Sequence, residues 1–500
     1  MIHLYLPLIS LLFLIITLKL FFIYTTRTLK NLPPGPQCLP IIGNLHQLKQ
    51  PLHHTFHTLS QKHGKLFSLW FGSRLVVVVS SLSIAQECFT KENDIILANR
   101  PHFLSGKYVG YNNTTVSQSP YGDHWRNLRR ILSIEILSSH RLNSFIEIRK
   151  DKIMRVIQKL AQMSYNDFSE VELKPIFLEM TFNIIMRMVS GKRYYGNDCE
   201  VSDVEEAKVF REIIKEFAIL GGANNIGDFL GFLRWFDFDG LEKKLKKISK
   251  RSDSFLQGLI DEHRLGKRNT NTMIDHLLTK QQSQPEYYTD QIIKGLIVVM
   301  LLAGSDSSSV TLEWAMSNLL NHPEILKKAK NELDTYIGQD HLLVEPDIFK
   351  LRYLQSIVNE TLRLHPAAPL LVPHLSSKQF TIDKYNIPHN TILLANVWVI
   401  HRDPNLWSDP TCFKPERFEK EDETKKLLSF GLGRRACPGE NLALRNVSLT
   451  LGLLIQCFEW KCIGEEKIDM AEAKGITVGK KIPLKAMCKL RHPLRIKVVF

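Results

Sequence analysis

One cysteine in this chain stands in a context that could hold a soft metal. Cys437 closes the stretch Phe430-Gly431-Leu432-Gly433-Arg434-Arg435-Ala436-Cys437-Pro438-Gly439, and residues 441–460 after it are apolar enough for a buried helix. A sulfur just ahead of a helix meets the positive end of the dipole and free N–H groups, both of which favour the thiolate. Pro438 suits the first helical position. Gly431, Gly433 and Gly439 let the backbone come close to a flat ligand and aim N–H groups at the sulfur. Arg435 is placed to pair with a carboxylate, and Phe430 to pack against a ring. A bare Cys-Pro-Gly is more often a buried structural cysteine. The longer spacing Phe-x-x-Gly-x-Arg-x-Cys-x-Gly sets this one apart.

Four other groups of residues invite a chemical reading. Ala303-Gly304-Ser305-Asp306-Ser307-Ser308 interrupts a long apolar segment. It reads either as a helix end capped by Gly304 or as a polar notch in one helix, where serine hydroxyls bond back to carbonyls. Glu360 and Arg363 form E-x-x-R, which places both on one helix face, and Arg417 follows in Pro415-Glu416-Arg417-Phe418. Trp125 and Arg129 form W-x-x-x-R, otherwise an ordinary amphipathic turn. His374 sits in Val372-Pro373-His374, and a lone histidine is more often satisfied locally. His53 and His57 are one helical turn apart but lack the glutamate of a metalloprotease motif, so they are not assigned as metal ligands.

Helix dominates the elements that must carry these residues. Helical patterns run over 146–163, 175–189, 204–220, 291–320, 324–337 and 353–364. Residues 66–70 and 75–80 read as a hairpin turning at Phe71-Gly72-Ser73-Arg74, and 380–382 with 391–397 read as a second small sheet. Residues 266–272 and 281–285 are polar connections. The expected fold class is mainly α with small β-sheets.

The 65 Lys and Arg against 51 Asp and Glu leave a net charge of +14. No basic block with interleaved aromatics accompanies it, so nucleic acid is not the expected partner; an acidic protein or an anionic membrane surface fits better. Eight cysteines without a CxxC pair argue against a zinc site or a disulfide framework. Residues 1–18 carry no charge and the apolar run reaches about residue 24, long enough to span a bilayer. Arg27 and Lys30 follow, which places the rest of the chain on the cytoplasmic side. Neither a basic segment before the run nor a small-residue cleavage site marks a secretory signal. The expected organisation is an anchor over 1–26, a basic and proline-rich hinge over 27–40 containing Pro33-Pro34-Gly35-Pro36, and one large domain over 41–500. With this topology the sequons at Asn112 and Asn113 never meet the glycosylation machinery.

The cysteine spacing resembles the haem-binding loop of the cytochrome P450 superfamily. The remaining motifs fall in that superfamily's order over essentially the whole chain, in the plant microsomal type with its single N-terminal transmembrane helix and endoplasmic reticulum location. The resemblance implies haem b, with Cys437 as axial ligand to the iron and Phe430, Arg435 and Gly439 around it. Trp125, Arg129 and His374 would meet the haem propionates, and Glu360, Arg363 and Arg417 would form a structural triad. Asp306 and Ser307 would be the carboxylate and alcohol that relay protons to the oxygen being reduced, although relatives usually carry threonine at the second position.

Shorter stretches look like legume isoflavone 2′-hydroxylases and their 3′-hydroxylating relatives: Leu69-Trp70-Phe71-Gly72-Ser73-Arg74, Ser105-Gly106-Lys107-Tyr108 and Pro483-Leu484-Lys485-Ala486-Met487-Cys488. They imply hydroxylation of an isoflavone B ring, 2′ first and 3′ as the alternative, on a substrate such as formononetin or daidzein. Another flavonoid or phenylpropanoid is a further alternative. The chain has no nucleotide-binding fingerprint, so electrons from NADPH would arrive through a separate cytochrome P450 reductase, greeted by basic residues near Arg126, Arg130, Arg434 and Arg445. By the family pattern, residues 101–115, 299–303, 367–372 and 478–482 would line the substrate site. Two other classes fit the same fold: a haem-thiolate isomerase or dehydratase, against which the intact Asp306 and Ser307 pair argues, and a passive haem or ligand-binding protein.

Overall fold

The computed structural model describes residues 7, 9–17, 30–195, 201–221, 226–231, 233, 237, 240–266 and 271–491. Ten helices carry most of the fold: α1 (Leu52–His63), α2 (Asp123–Arg130), α3 (Ile146–Met163), α4 (Leu173–Ser190), α5 (Val201–Gly221), α6 (Leu241–Arg264), α7 (Asp290–Asn321), α8 (Pro323–Tyr336), α9 (Arg352–Leu364) and α10 (Glu440–Cys457). Helix α7 is apolar on all sides, and such a helix must be covered all round. It is buried almost throughout from Ile293 to Leu320, with α4 packed along it and α9 and α10 against it. Where α4 crosses, a Cβ on Gly304 would come within 3.0 Å of Ile185 Cδ1, so glycine permits the close approach. The polar notch does not end the helix, which is continuous over 32 residues.

Among the described residues nine strands form three small sheets. β1 (Leu66–Phe71) and β2 (Arg74–Val79) make the expected hairpin, with a tighter turn than anticipated: Phe71 pairs with Arg74, leaving only Gly72 and Ser73 between. β7 (Ile392–Ala395) joins β2 in parallel, and β4 (His374–Leu375) joins β7. The expectation that residues 380–382 pair with 391–397 fails. β5 (Phe380–Ile382) folds onto β6 (Tyr385–Ile387) through Asp383 and Lys384, both at positive φ. The Ile-Leu-Leu-Ala run of β7 is buried along its whole length, which suits an inner strand of the larger sheet. β3 (Ser169–Glu172), β9 (Lys485–Leu490) and β8 (Phe458–Lys461) form the third sheet. β8 also ends α10 three residues before the anticipated limit, because Phe458, Glu459, Trp460 and Lys461 alternate buried and exposed, the two-residue period of a strand.

Of the anticipated anchor, residues 9–17 are helical and carry exposed Ile9, Leu11, Leu12, Phe13, Leu14, Ile15 and Ile16; residues 18–26 lie outside the described residues. Among the described residues one helix is long and apolar enough to cross a membrane, and that is α7, whose most apolar window is 67% buried inside the protein. The proline-rich segment is docked, not free: Ser68 donates from its main chain to Pro34 O at 2.8 Å and from its hydroxyl to Pro33 O at 2.7 Å. Asn31 donates to Lys384 O on the β5–β6 hairpin.

Candidate functional site

The Cys437 loop is held from beneath by α9. Glu360 and Arg363, both fully buried, form a two-pronged pair at 2.7 and 2.8 Å. Arg417 adds a third arm, its Nε donating to Glu360 Oε1 at 3.1 Å, so the three residues expected to form a triad do meet. The remaining N–H groups of Arg363 go to the carbonyls of His401, Pro410 and Cys412. His401, which motif reading overlooked, passes this framework to the loop: Nδ1–H donates to Arg363 O at 3.0 Å and Nε2 accepts Leu428 N–H at 2.9 Å. Burial pushes its pKa down to about 3, so the imidazole stays neutral and can accept. Ser429 makes a further tie to Leu362 O at 2.8 Å.

Within the loop, Cys437 N–H donates to Phe430 O at 2.8 Å. The following helix opens at Glu440 with Gly439 as its cap, so Pro438 precedes the cap instead of opening the first turn. Main-chain N–H groups of Gly439 and Glu440 reach the sulfur as anticipated, yet burial outweighs them and raises the thiol above its ordinary value. The protein alone therefore keeps Cys437 a thiol, and a thiolate needs a cation bound to it. The side chain is ringed by protein and still open, as the lining of an internal hollow would be. Gly433 serves a different purpose from the one expected. At φ +68° its missing Cβ makes room for Asp94 and for Phe89 O, and Asp94 accepts the main-chain N–H of Arg434.

Beside the loop lie Arg100, Arg129 and Arg435. Arg435 donates to the carbonyls of Ala98, Val116 and Ser119 and stacks 4.4 Å above the Trp125 ring. Arg129 donates to Ala436 O, and Arg100 to Val372 O and Pro373 O. Among the described residues none of the three has a carboxylate partner, and Arg100 Nε is buried with no hydrogen bond at all. Burial pushes all three down, Arg435 to about 9. A guanidinium does not surrender its proton inside a protein, so this cluster is positive charge lacking a counter-charge.

Trp125 Nε1–H is turned to Val116 O at 3.0 Å. His374 is tied on one side within the protein: its Nδ1–H donates to Leu97 O at 2.8 Å, and burial, then Arg100, push its pKa well below 6.5. Arg100, absent from the motif reading, places a further cation beside it. These donors fit the haem that the resemblance implies. Arg100, Arg129 and Arg435 would hold its two propionates, which would bring the missing negative charge, and Cys437 would ligate its iron.

On α7, Ser307 Oγ–H donates back to Ala303 O at 2.9 Å. Asp306 is surrounded by protein but open to internal space; burial raises its carboxyl, opposed by a bond with Thr477 and the charge of Lys174. One turn or two further on, Glu313 is fully buried, with Oε1 accepting Leu484 N–H at 3.0 Å. Of the expected substrate-facing segments, Val372 and Ile482 present open apolar side chains, whereas Val478 is buried. Val478 is pinned by its N–H to Ala367 O and by its carbonyl, which accepts Trp314 Nε1–H. On the expected partner face Arg126 and Arg130 are exposed, while Arg445 turns to Glu345 at 2.9 Å.

Residues 33–488 match the family model described as Cytochrome P450. The chain is 83% identical to the Medicago truncatula protein named Cytochrome P450 81E8, over 98% of both chains. It is 64% identical to an isoflavone 3′-hydroxylase of Medicago truncatula over 97% of both, and 62% identical to an isoflavone 2′-hydroxylase of Glycyrrhiza echinata over 95% of this chain and 96% of that one. A zebrafish cytochrome P450 structure determined with abiraterone superposes with a TM-score of 0.74 at 25% identity, covering 89% of this chain and all of that one.

Proposed function

The chain belongs to the cytochrome P450 monooxygenase family, and from that premise we propose that it hydroxylates the aromatic B ring of an isoflavone, at the 2′ or 3′ position, with O₂ and electrons passed from NADPH by a separate flavoprotein reductase. The observation that carries the proposal is near-full-length kinship at 62–64% with hydroxylases acting at both positions, joined to an open sulfur beside an arginine cluster without an acid. Bound haem supplies the activation of O₂. The chain's own residues do the rest. Arg100, Arg129 and Arg435 hold its carboxylates, and the His401 and Glu360–Arg363–Arg417 framework sets the height of Cys437. Asp306, whose carboxyl burial raises, can take up a proton and release it to the distal side, with Ser307 Oγ leaving Ala303 O to pass it on. Val372 and Ile482 offer the apolar surface that a flat phenolic ring wants.

The helical, exposed apolar residues 9–17 support a single-pass anchor in the endoplasmic reticulum membrane with the domain facing the cytoplasm. The test is incubation of the reconstituted protein, reductase and NADPH with formononetin, daidzein and a flavone, followed by product identification. A B-ring hydroxylated isoflavone is expected, and none should form without NADPH or reductase or with Cys437→Ala. Turnover of the flavone alone, or product without NADPH, overturns the proposal.

A further inference from the structure

Helix α1 begins with adjacent histidines, His53 and His54, and adds His57 a turn later. No glutamate near them in sequence suggests a metal. The fold brings one from 418 residues away. His53 Nε2 lies 2.7 Å and His54 Nε2 2.8 Å from the same oxygen, Glu472 Oε2, and the three ligand atoms lie within 4.8 Å of one another. The carboxylate is oriented from behind, since its other oxygen accepts Trp398 Nε1–H at 3.1 Å. The main chain of His53 is fixed too, its carbonyl accepting from Asn396 Nδ2 at 2.9 Å.

We propose that His53, His54 and Glu472 form a Zn²⁺ site. Two imidazole nitrogens and one carboxylate oxygen are a zinc ligand set, and three protein ligands leave the fourth tetrahedral position to water. The side chain of His54 is 49% exposed, which opens that position to solvent, while those of His53 and Glu472 are 2% and 11% exposed. The indole bond to Glu472 is the kind of outer contact that orients a ligating carboxylate. His57 lies alongside with its ring 5.8 Å from that of Trp398 and its Nδ1 buried without a partner. Two features oppose a cation: Arg402, 4.0 Å over the Trp398 ring, and the positive end of α1. They make this a site of moderate affinity that fills and empties with zinc supply. Its occupancy would matter to the enzyme because Glu472 belongs to the segment whose Val478 is tied to Ala367 and Trp314. Zinc would staple the start of the domain to that wall.

The site assumes nothing about the substrate, and its test does not read activity. Full-length haem-loaded protein without a polyhistidine tag is stripped with chelator and titrated with ZnCl₂ by calorimetry, alongside thermal melts. One equivalent should bind with a Kd on the order of 10 µM, raising the melting temperature. His54→Ala, which alters a half-exposed side chain, should weaken binding by about tenfold or more and abolish the thermal shift. Glu472→Gln should do the same; should that variant not fold, His54→Phe replaces it. Exposed His389→Ala should change nothing. No stoichiometric binding, or binding that His54→Ala leaves intact, overturns the proposal.

Discussion

Two groups of buried arginines reach the Cys437 loop, and they are built on opposite principles. Arg363 and Arg417 converge on Glu360, so each guanidinium has an acid partner among the protein's own groups. Arg100, Arg129 and Arg435 lie together with carbonyl dipoles and the Trp125 ring for company, and among the described residues no acid pairs with them. The first group is complete without any ligand and belongs to the scaffold. The second leaves net positive charge in the interior, which is costly unless an anion arrives. A buried arginine therefore says little by itself; whether the protein supplies its counter-charge separates bracing from binding.

The comparison can be broken most severely at the complete group. Arg363→Leu removes the two-pronged partner of the buried Glu360 carboxylate, leaving it Arg417 and the Lys414 N–H, and should cost about 3–5 kcal/mol in denaturant unfolding, haem or no haem; a loss below about 1 kcal/mol would mean that the triad is not the brace described. Arg435→Leu sharpens the contrast. It removes charge from the incomplete group but leaves three carbonyls short of a donor, so the haem-free fold should lose about 1–2 kcal/mol. The haem-to-protein ratio should fall far more than that stability loss explains. Equal effects on both readouts would erase the distinction.

A smaller effect concerns His401, which joins the complete group to the loop. Its folded pKa of about 3 lies below the unfolded value near 6.5. The unfolded chain thus binds the extra proton first, and the contribution to stability is full above about pH 6.5 and is lost as pH falls toward 3. His401→Gln should flatten the pH dependence of stability by about 1 kcal/mol between pH 7 and 5.5, read from unfolding curves at the two values. The smallest effect on the fold is expected at Ser307, whose hydroxyl makes one back-bond. Ser307→Ala should leave haem content unchanged and stability within about 0.5 kcal/mol, yet raise peroxide release per NADPH consumed. Unchanged peroxide would remove Ser307 from proton delivery.

Local pattern determined much of this protein. The long helices are legible because apolar residues recur at the helical period, and α3 matches its expected limits at Ile146 and Met163. The Cys437 loop and the Glu360–Arg363 pair are legible because their partners lie within a turn or two of one another. Where neighbouring segments compete, local pattern misleads: the tight turn at Asp383 and Lys384 takes β5 away from β7, and the alternation of Phe458 to Lys461 converts an expected helix end into a strand. Only the tertiary structure decided which charges are satisfied. The placing of Arg100 beside His374, the cramped approach of Gly433 to Asp94, the role of His401 and the meeting of His53 and His54 with Glu472 all join residues far apart in the chain. Such contacts have no period and leave no spacing to read; they exist because α7 and the helices packed on it fix where each loop returns.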